Sequence, residues 1–108
     1  MILEASGTQV AVIGTEHGLA SLTQPRVYCF YVDTTNMAGG DTLELRVKNK
    51  VLGGDALTVV YFQAFSGVQS VDDITKVSVP LPSDIQADFT LKQTAGTGRS
   101  FKWKVLSL

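Results

Sequence analysis

The 108-residue chain has one cysteine, one histidine, one tryptophan and three prolines. A single cysteine cannot close an internal disulfide, which excludes the small scaffolds stapled by such bonds. One histidine and one cysteine also remove almost every transition-metal site, so no metal or cofactor is expected. An excess of charge of either sign is missing too: nine basic against ten acidic side chains leave −1. A generic nucleic-acid binder is not expected from that balance. The longest strongly apolar runs, Val27–Val32 and Val59–Phe62, fall far short of the roughly 18 residues that span a bilayer. The opening Met1–Ser6 has no basic stretch and leads into no apolar run of signal-peptide length. A soluble protein made in the cytoplasm, with no membrane partner, is the expectation. No segment sustains a 3.6-residue period, so no long helix is expected.

What is abundant points to strands. Thirteen Val, four Ile and eleven Thr make over a quarter of the chain β-branched. Period-2 alternation recurs. In Thr42–Val51, Leu43, Leu45 and Val47 face one way, and Glu44, Arg46, Lys48 and Lys50 the other. Asp84–Lys92 puts Ile85, Ala87, Phe89 and Leu91 on one face, and Ser100–Val105 does the same with Phe101, Trp103 and Val105. Such alternation marks antiparallel sheets that cover a core on one side. Weaker patterns place strands at Thr8–Ile13, Glu16–Leu22 and Lys76–Val79, the last ended by Pro80 and Pro82. Arg26–Val32 and Leu57–Phe65 are almost continuously apolar. They lie centrally in a sheet, or a neighbouring subunit covers their second face.

Turn residues punctuate these runs. Gly53-Gly54-Asp55 reads as a hairpin, Asn36–Asp41 as a turn and Gly67–Asp73 as a polar loop. The stretch Gly96-Thr97-Gly98-Arg99-Ser100 fails as a phosphate loop, because its glycines are two apart and a strand follows; it reads as a hairpin. The whole, residues 1–108, is expected to be one all-β domain. About eight strands form an antiparallel β-sandwich, with a jelly roll among the arrangements this admits. The core would hold Leu43, Leu45, Val47, Phe89, Leu91, Phe101, Trp103 and Val105, and Cys29 reads as a buried small hydrophobe.

No catalytic constellation emerges. The aspartates are scattered mostly in turns, where they bond their own backbone. Neither the paired carboxylates of a glycosidase nor the looped ligands of a calcium site can be read from their spacing. His17 has no identifiable nucleophile beside it. Charge is separated along the chain: Val51–Thr90 holds five Asp and one Lys, whereas Leu91–Leu108 holds Lys92, Arg99, Lys102 and Lys104 and no acid. Separated rows suit packing against copies or partners, and outward lysines equally protect strands from aggregation. The candidate protein contacts are the outward Arg46, Lys48, Lys50, Lys102 and Lys104, with Arg99 in its loop. No aromatic residues interleave with these rows as a base-stacking platform would require.

Three stretches, Val32–Arg46, Val79–Asp84 and Leu91–Leu106, resemble in order and spacing small virion proteins of tailed bacteriophages, encoded among head and tail structural genes. The likeness spans residues 5 to 108. It implies a β-rich particle component without enzymatic activity. A chain of this size is most similar to a capsid decoration (cement) protein, which sits outside the shell and bridges neighbouring capsid subunits. The implied location is the virion, after synthesis in the host cytoplasm. The implied partners are the major capsid protein and further copies of the chain. A small tail or collar component is the near alternative. A carbohydrate-binding module is the rival from another class; it would need exposed rings, for which Tyr28 or Tyr31, and Tyr61, are the candidates.

Overall fold

A computed structural model describes residues 1–108 and is all-β, with two antiparallel sheets packed face to face. The strands are β1 (Ile2–Val10), β2 (Glu16–Leu22), β3 (Arg26–Asp33), β4 (Thr42–Asn49), β5 (Thr58–Ser66), β6 (Thr75–Val77), β7 (Leu81–Ser83), β8 (Ala87–Ala95) and β9 (Ser100–Ser107). One sheet has the order β1-β9-β3-β6, with β7 also on β3; the other runs β2-β8-β4-β5. One 3-10 turn, Val71–Asp73, is the sole helical element. No helix is long and apolar enough to cross a membrane.

β6 and β7 share one strand position. β6 pairs with Tyr31–Asp33 and β7 with Arg26–Tyr28 on the same strand β3. Between them the Ser78 N–H donates to the Phe30 carbonyl at 2.9 Å, and the Ser78 hydroxyl accepts the Phe30 N–H at 2.9 Å. Pro80 then interrupts the ladder, because it has no N–H. Strand β7 was not expected from the sequence, since it contains Pro82. It lies at the sheet's edge, where a missing N–H costs no ladder bond.

With β6 and β7 counted as one position, the pairs β1·β9, β2·β8, β3·β6/β7 and β4·β5 nest inside one another. The chain is thus one long hairpin rolled upon itself, closed by the cross-pairs β3·β9 and β4·β8. That is jelly-roll connectivity.

The alternation read in β4, β8 and β9 is borne out. Leu43, Leu45, Val47, Phe89, Leu91, Phe101 and Val105 are buried, joined by Tyr28, Phe30 and Val32 from β3. Phe89 meets Tyr28 and Phe30 edge to face at centroid distances of 5.8 and 5.5 Å, a geometry that suits the ring quadrupoles. Trp103 packs against this core only partly buried, and its indole lies across Gly7, where a Cβ would come within 3.2 Å of it. Cys29 differs from the expectation. It sits between the inward Tyr28 and Phe30, so the period of two turns it to the outer face, half-exposed. β1 spans Ile2–Val10 and leaves Val12 and Ile13 in the following turn, both exposed.

The glycine stretch at 96–98 is not a hairpin. β8 and β9 belong to different sheets, so Gly96–Arg99 turns a corner across the top of the sandwich. At the β1–β2 turn, His17 Nε2 accepts the Val12 N–H at 3.0 Å. The other ring nitrogen, Nδ1, lies 3.2 Å from Gln9 Nε2. His17 is a structural clasp of that turn.

Candidate functional site

The six cations singled out from sequence lie in four places. Arg46 and Lys48 stand on the outer face of the β2-β8-β4-β5 sheet, and acids of the same face neutralise them. Lys48 Nζ reaches Glu16 Oε2 at 2.8 Å across β8, and the intervening Thr90 hydroxyl donates to the same oxygen at 2.7 Å. These two hydrogen bonds hold the Glu16 carboxyl below the usual carboxylate range. Arg46 Nη1 is 2.9 Å from Glu44 Oε1, although its N–H groups do not point at the carboxylate well enough for a hydrogen bond. The guanidinium also lies 4.8 Å from the Phe62 ring centre.

Arg99 belongs to the crossing corner. Its Nε donates to Asp41 Oδ2 at 2.8 Å, and Asp41 is 1 % exposed. The same carboxylate accepts the Ala38 N–H at 2.9 Å and the Thr97 N–H at 3.2 Å. The Ala38 bond first, then Arg99 and Thr97, keep its carboxyl below the usual range against the opposing cost of burial. Buried Gln93 completes the corner. Its amide donates to the Ala95 and Thr97 carbonyls, and its oxygen accepts the Arg99 N–H at 3.0 Å. Sequence reasoning missed Asp41 and Gln93, because nothing local marks a turn Asp as the anchor of a loop 56 residues away. Lys50 stands at the opposite end of the sandwich. It borders an open hollow of about 710 Å³ with Arg26, Asn49, Ser83 and the C-terminal Leu108.

Lys102 and Lys104 come together on the outer face of the other sheet. Both are exposed, and neither has an ion-pair partner within 4.0 Å. Cross-strand register sets Lys104 between Ser6 on β1 and Tyr31 on β3. Its ammonium lies 4.8 Å from the centre of the Tyr31 ring. Ser6, Tyr31, Asp33, Thr75 and both lysines border a shallow hollow of about 300 Å³. A second hollow of about 140 Å³ continues it past Asp33 and Lys102 to Thr35, Asn36 and Ser100. The Thr35 hydroxyl and amide hold the Asp33 carboxyl below its usual range, and Lys102 adds to this. The surface is therefore a polar, charged plane around the Tyr31 ring, with Trp103 also lining it, made of residues fixed on four neighbouring strands. It can offer hydrogen bonds and salt-screened attraction to an acidic partner surface.

The tyrosines do not line up as a stacking row. Tyr28 is wholly buried and donates to the Gln24 carbonyl. Tyr61 is half-buried on the inward side of β5, and that burial raises its phenol above the usual value. No group of three or more His, Cys, Asp and Glu side chains is placed to hold a metal ion.

No protein-family model matches the chain, and neither a curated protein nor a solved structure matches it.

Proposed function

We propose that this chain is a structural protein of a tailed-bacteriophage particle, a capsid decoration protein that binds the outside of the shell and bridges capsid subunits. The sequence resemblance supports the particle. The observation that supports attachment is the pair Lys102 and Lys104: of nine basic side chains five are spent in internal ion pairs, and these two stand free beside each other on a flat sheet face. A decoration protein needs a rigid fold and contact surfaces more than an enclosed pocket, and a jelly roll supplies both. Binding the mature lattice and not its disrupted form lowers the free energy of the mature form by mass action. Many weak contacts repeated over one lattice then add through multivalency.

The test is the number of copies per purified particle, measured by quantitative mass spectrometry against the major capsid protein. Hundreds of copies are expected. A dozen or fewer would move the chain to the tail, collar or a vertex and end the lattice-bridging reading.

A further inference from the structure

We propose that β5 is a self-association edge, at which two copies of the chain pair β5 against β5, antiparallel about a two-fold axis, and join two four-stranded sheets into one of eight strands. β5 ends its sheet and pairs only with β4. The other three edges carry devices that discourage pairing. β1 is bulged between Leu3 and Ala5, β2 is bulged between Gly18 and Ala20 and opens with Glu16, and the β6/β7 edge is two three-residue pieces broken by Pro80. β5 is bulged once as well, at Val60, and like β1 keeps six regular residues beyond the bulge, Tyr61–Ser66, but unlike β1, which holds Glu4, it carries no charge. Val59, Val60 and Phe62 are 49, 49 and 45 % exposed on this strand.

The charge pattern selects a second copy as the occupant. In a two-fold antiparallel strand pair residue i faces residue j and j faces i, so a charge close to the axis lies near its own copy. From Leu57 to Val71 the chain has no charged residue at all, whereas β2, β4 and β8 of the same sheet each carry charges on their outer faces. Pairing of the two edges satisfies the free backbone groups of β5 and sets its exposed apolar side chains beside those of the second copy. The inference is independent of the particle reading, since a monomer in solution would overturn it and leave the copy number per particle untouched.

Two substitutions separate association from folding. Phe62 lies opposite Arg46 and Ala64 opposite Glu44 on β4. Phe62→Glu and Ala64→Lys, made singly, each gain an opposite charge within the chain but set like charges against each other across the two-fold. Sedimentation equilibrium of the full chain over a wide concentration range should show a monomer–dimer equilibrium. Each variant should keep its thermal midpoint and raise the dimer dissociation constant by about tenfold or more, since it acts once from each copy. Hydrogen exchange of the native chain should show protection within Tyr61–Ser66 that grows with concentration. A monomer at every concentration, a dimer indifferent to both variants, or concentration-dependent protection at Lys102–Lys104 instead would each overturn the proposal. Should Phe62→Glu unfold, Ala64→Lys and the exchange pattern still decide it.

Discussion

Arg99 Nε lies 2.8 Å from Asp41 Oδ2, so the residue before β9 is tied to the residue before β4. One belongs to the corner that carries the chain from one sheet to the other, and its partner closes the turn after β3. Asp41 also passes its carbonyl to the Gly67 N–H at 2.8 Å. Three loops at one end of the jelly roll therefore meet on a single residue, whose carboxylate and carbonyl satisfy backbone donors that no ladder reaches.

Asp41→Asn should remove the charge while keeping the shape. It leaves Arg99 without its counter-ion and forces an amide into a site that offers three donors to two oxygens. A loss of about 2–4 kcal/mol is expected, read from denaturant unfolding. Arg99→Lys should cost less, because an ammonium can still reach an oxygen but cannot reproduce the fixed guanidinium donor. Equal stability of Asp41→Asn and the native chain would show that the corner is held by Gln93 alone.

The same carboxylate sets a pH dependence. The folded protein keeps the Asp41, Asp33 and Glu16 carboxyls below their ordinary values. A depressed folded value means the unfolded chain binds protons first, so the stabilisation is complete above the unfolded carboxylate value. It fades as pH falls through that value toward the folded ones. Unfolding free energy measured from neutral pH downward should decline over this acid window, and Asp41→Asn should flatten the decline. A variant profile parallel to the native one would place the acid sensitivity elsewhere.

Gly96 tests the corner from the backbone side. Its φ is +88°, and a Cβ there would come within 1.9 Å of Asp41 Oδ1 and 2.8 Å of Asp41 Cα. Gly14 has a similar φ of +82° with open space around it. Gly14→Ala should therefore cost only the left-handed backbone penalty of about 1–2 kcal/mol. Gly96→Ala should cost clearly more, because the clash also displaces the carboxylate. Thermal midpoints of the two variants compare them directly.

Much of the sandwich was legible in the sequence, and for a stated reason. Leu43, Leu45 and Val47 alternate with charged residues, and a period of two has one meaning when one face is dry. The same parity correctly turned Lys102 and Lys104 outward. The apolar runs of β3 and β5 left two readings open, and the structure divides them: β3 is central and β5 is an edge. What stayed illegible depends on contacts remote in sequence. Register across β8 brings Glu16 to Lys48, and without it Lys48 reads as a free cation. The corner at Gly96–Arg99 looks local, yet its course is set by Asp41. Lys76 and Ser78 invert the pattern, buried in alternation with the exposed Val77 and Val79, because this edge has a deep side that only tertiary packing defines.

Lys76 is 6 % exposed. Its stem runs inward beside Val32, and its ammonium emerges 2.9 Å from the exposed Asp73 carboxylate and 4.6 Å from the Phe65 ring centre. The apolar stem contributes more than the charge, since a pair with so exposed a partner is screened. Lys76→Met is expected to change stability by less than about 1 kcal/mol, whereas Lys76→Ala should cost about 2 kcal/mol or more through lost packing. Equal losses in the two variants would show that the ion pair dominates.

Lys102 and Lys104 should behave oppositely to Lys76, with little effect on folding and a large one on attachment. Both side chains leave the sheet into solvent, so Lys102→Glu with Lys104→Glu should leave the unfolding midpoint nearly unchanged. Lys104 also gives up its contact with Tyr31, a loss of about 0.5–1 kcal/mol at an exposed site. Binding to particles that lack the chain should weaken, and its dependence on salt should flatten, because exposed charges act over a Debye length of about 10 Å at 0.1 M salt. Glu16 and Glu44 make Arg46→Glu the matched control. That substitution breaks an ion pair within the fold, so it should lower stability more than it alters attachment. If the double variant binds as tightly and with the same salt slope as the native chain, the face built around Tyr31 is not the contact surface. The uncharged end of the other sheet would then be the next surface to test.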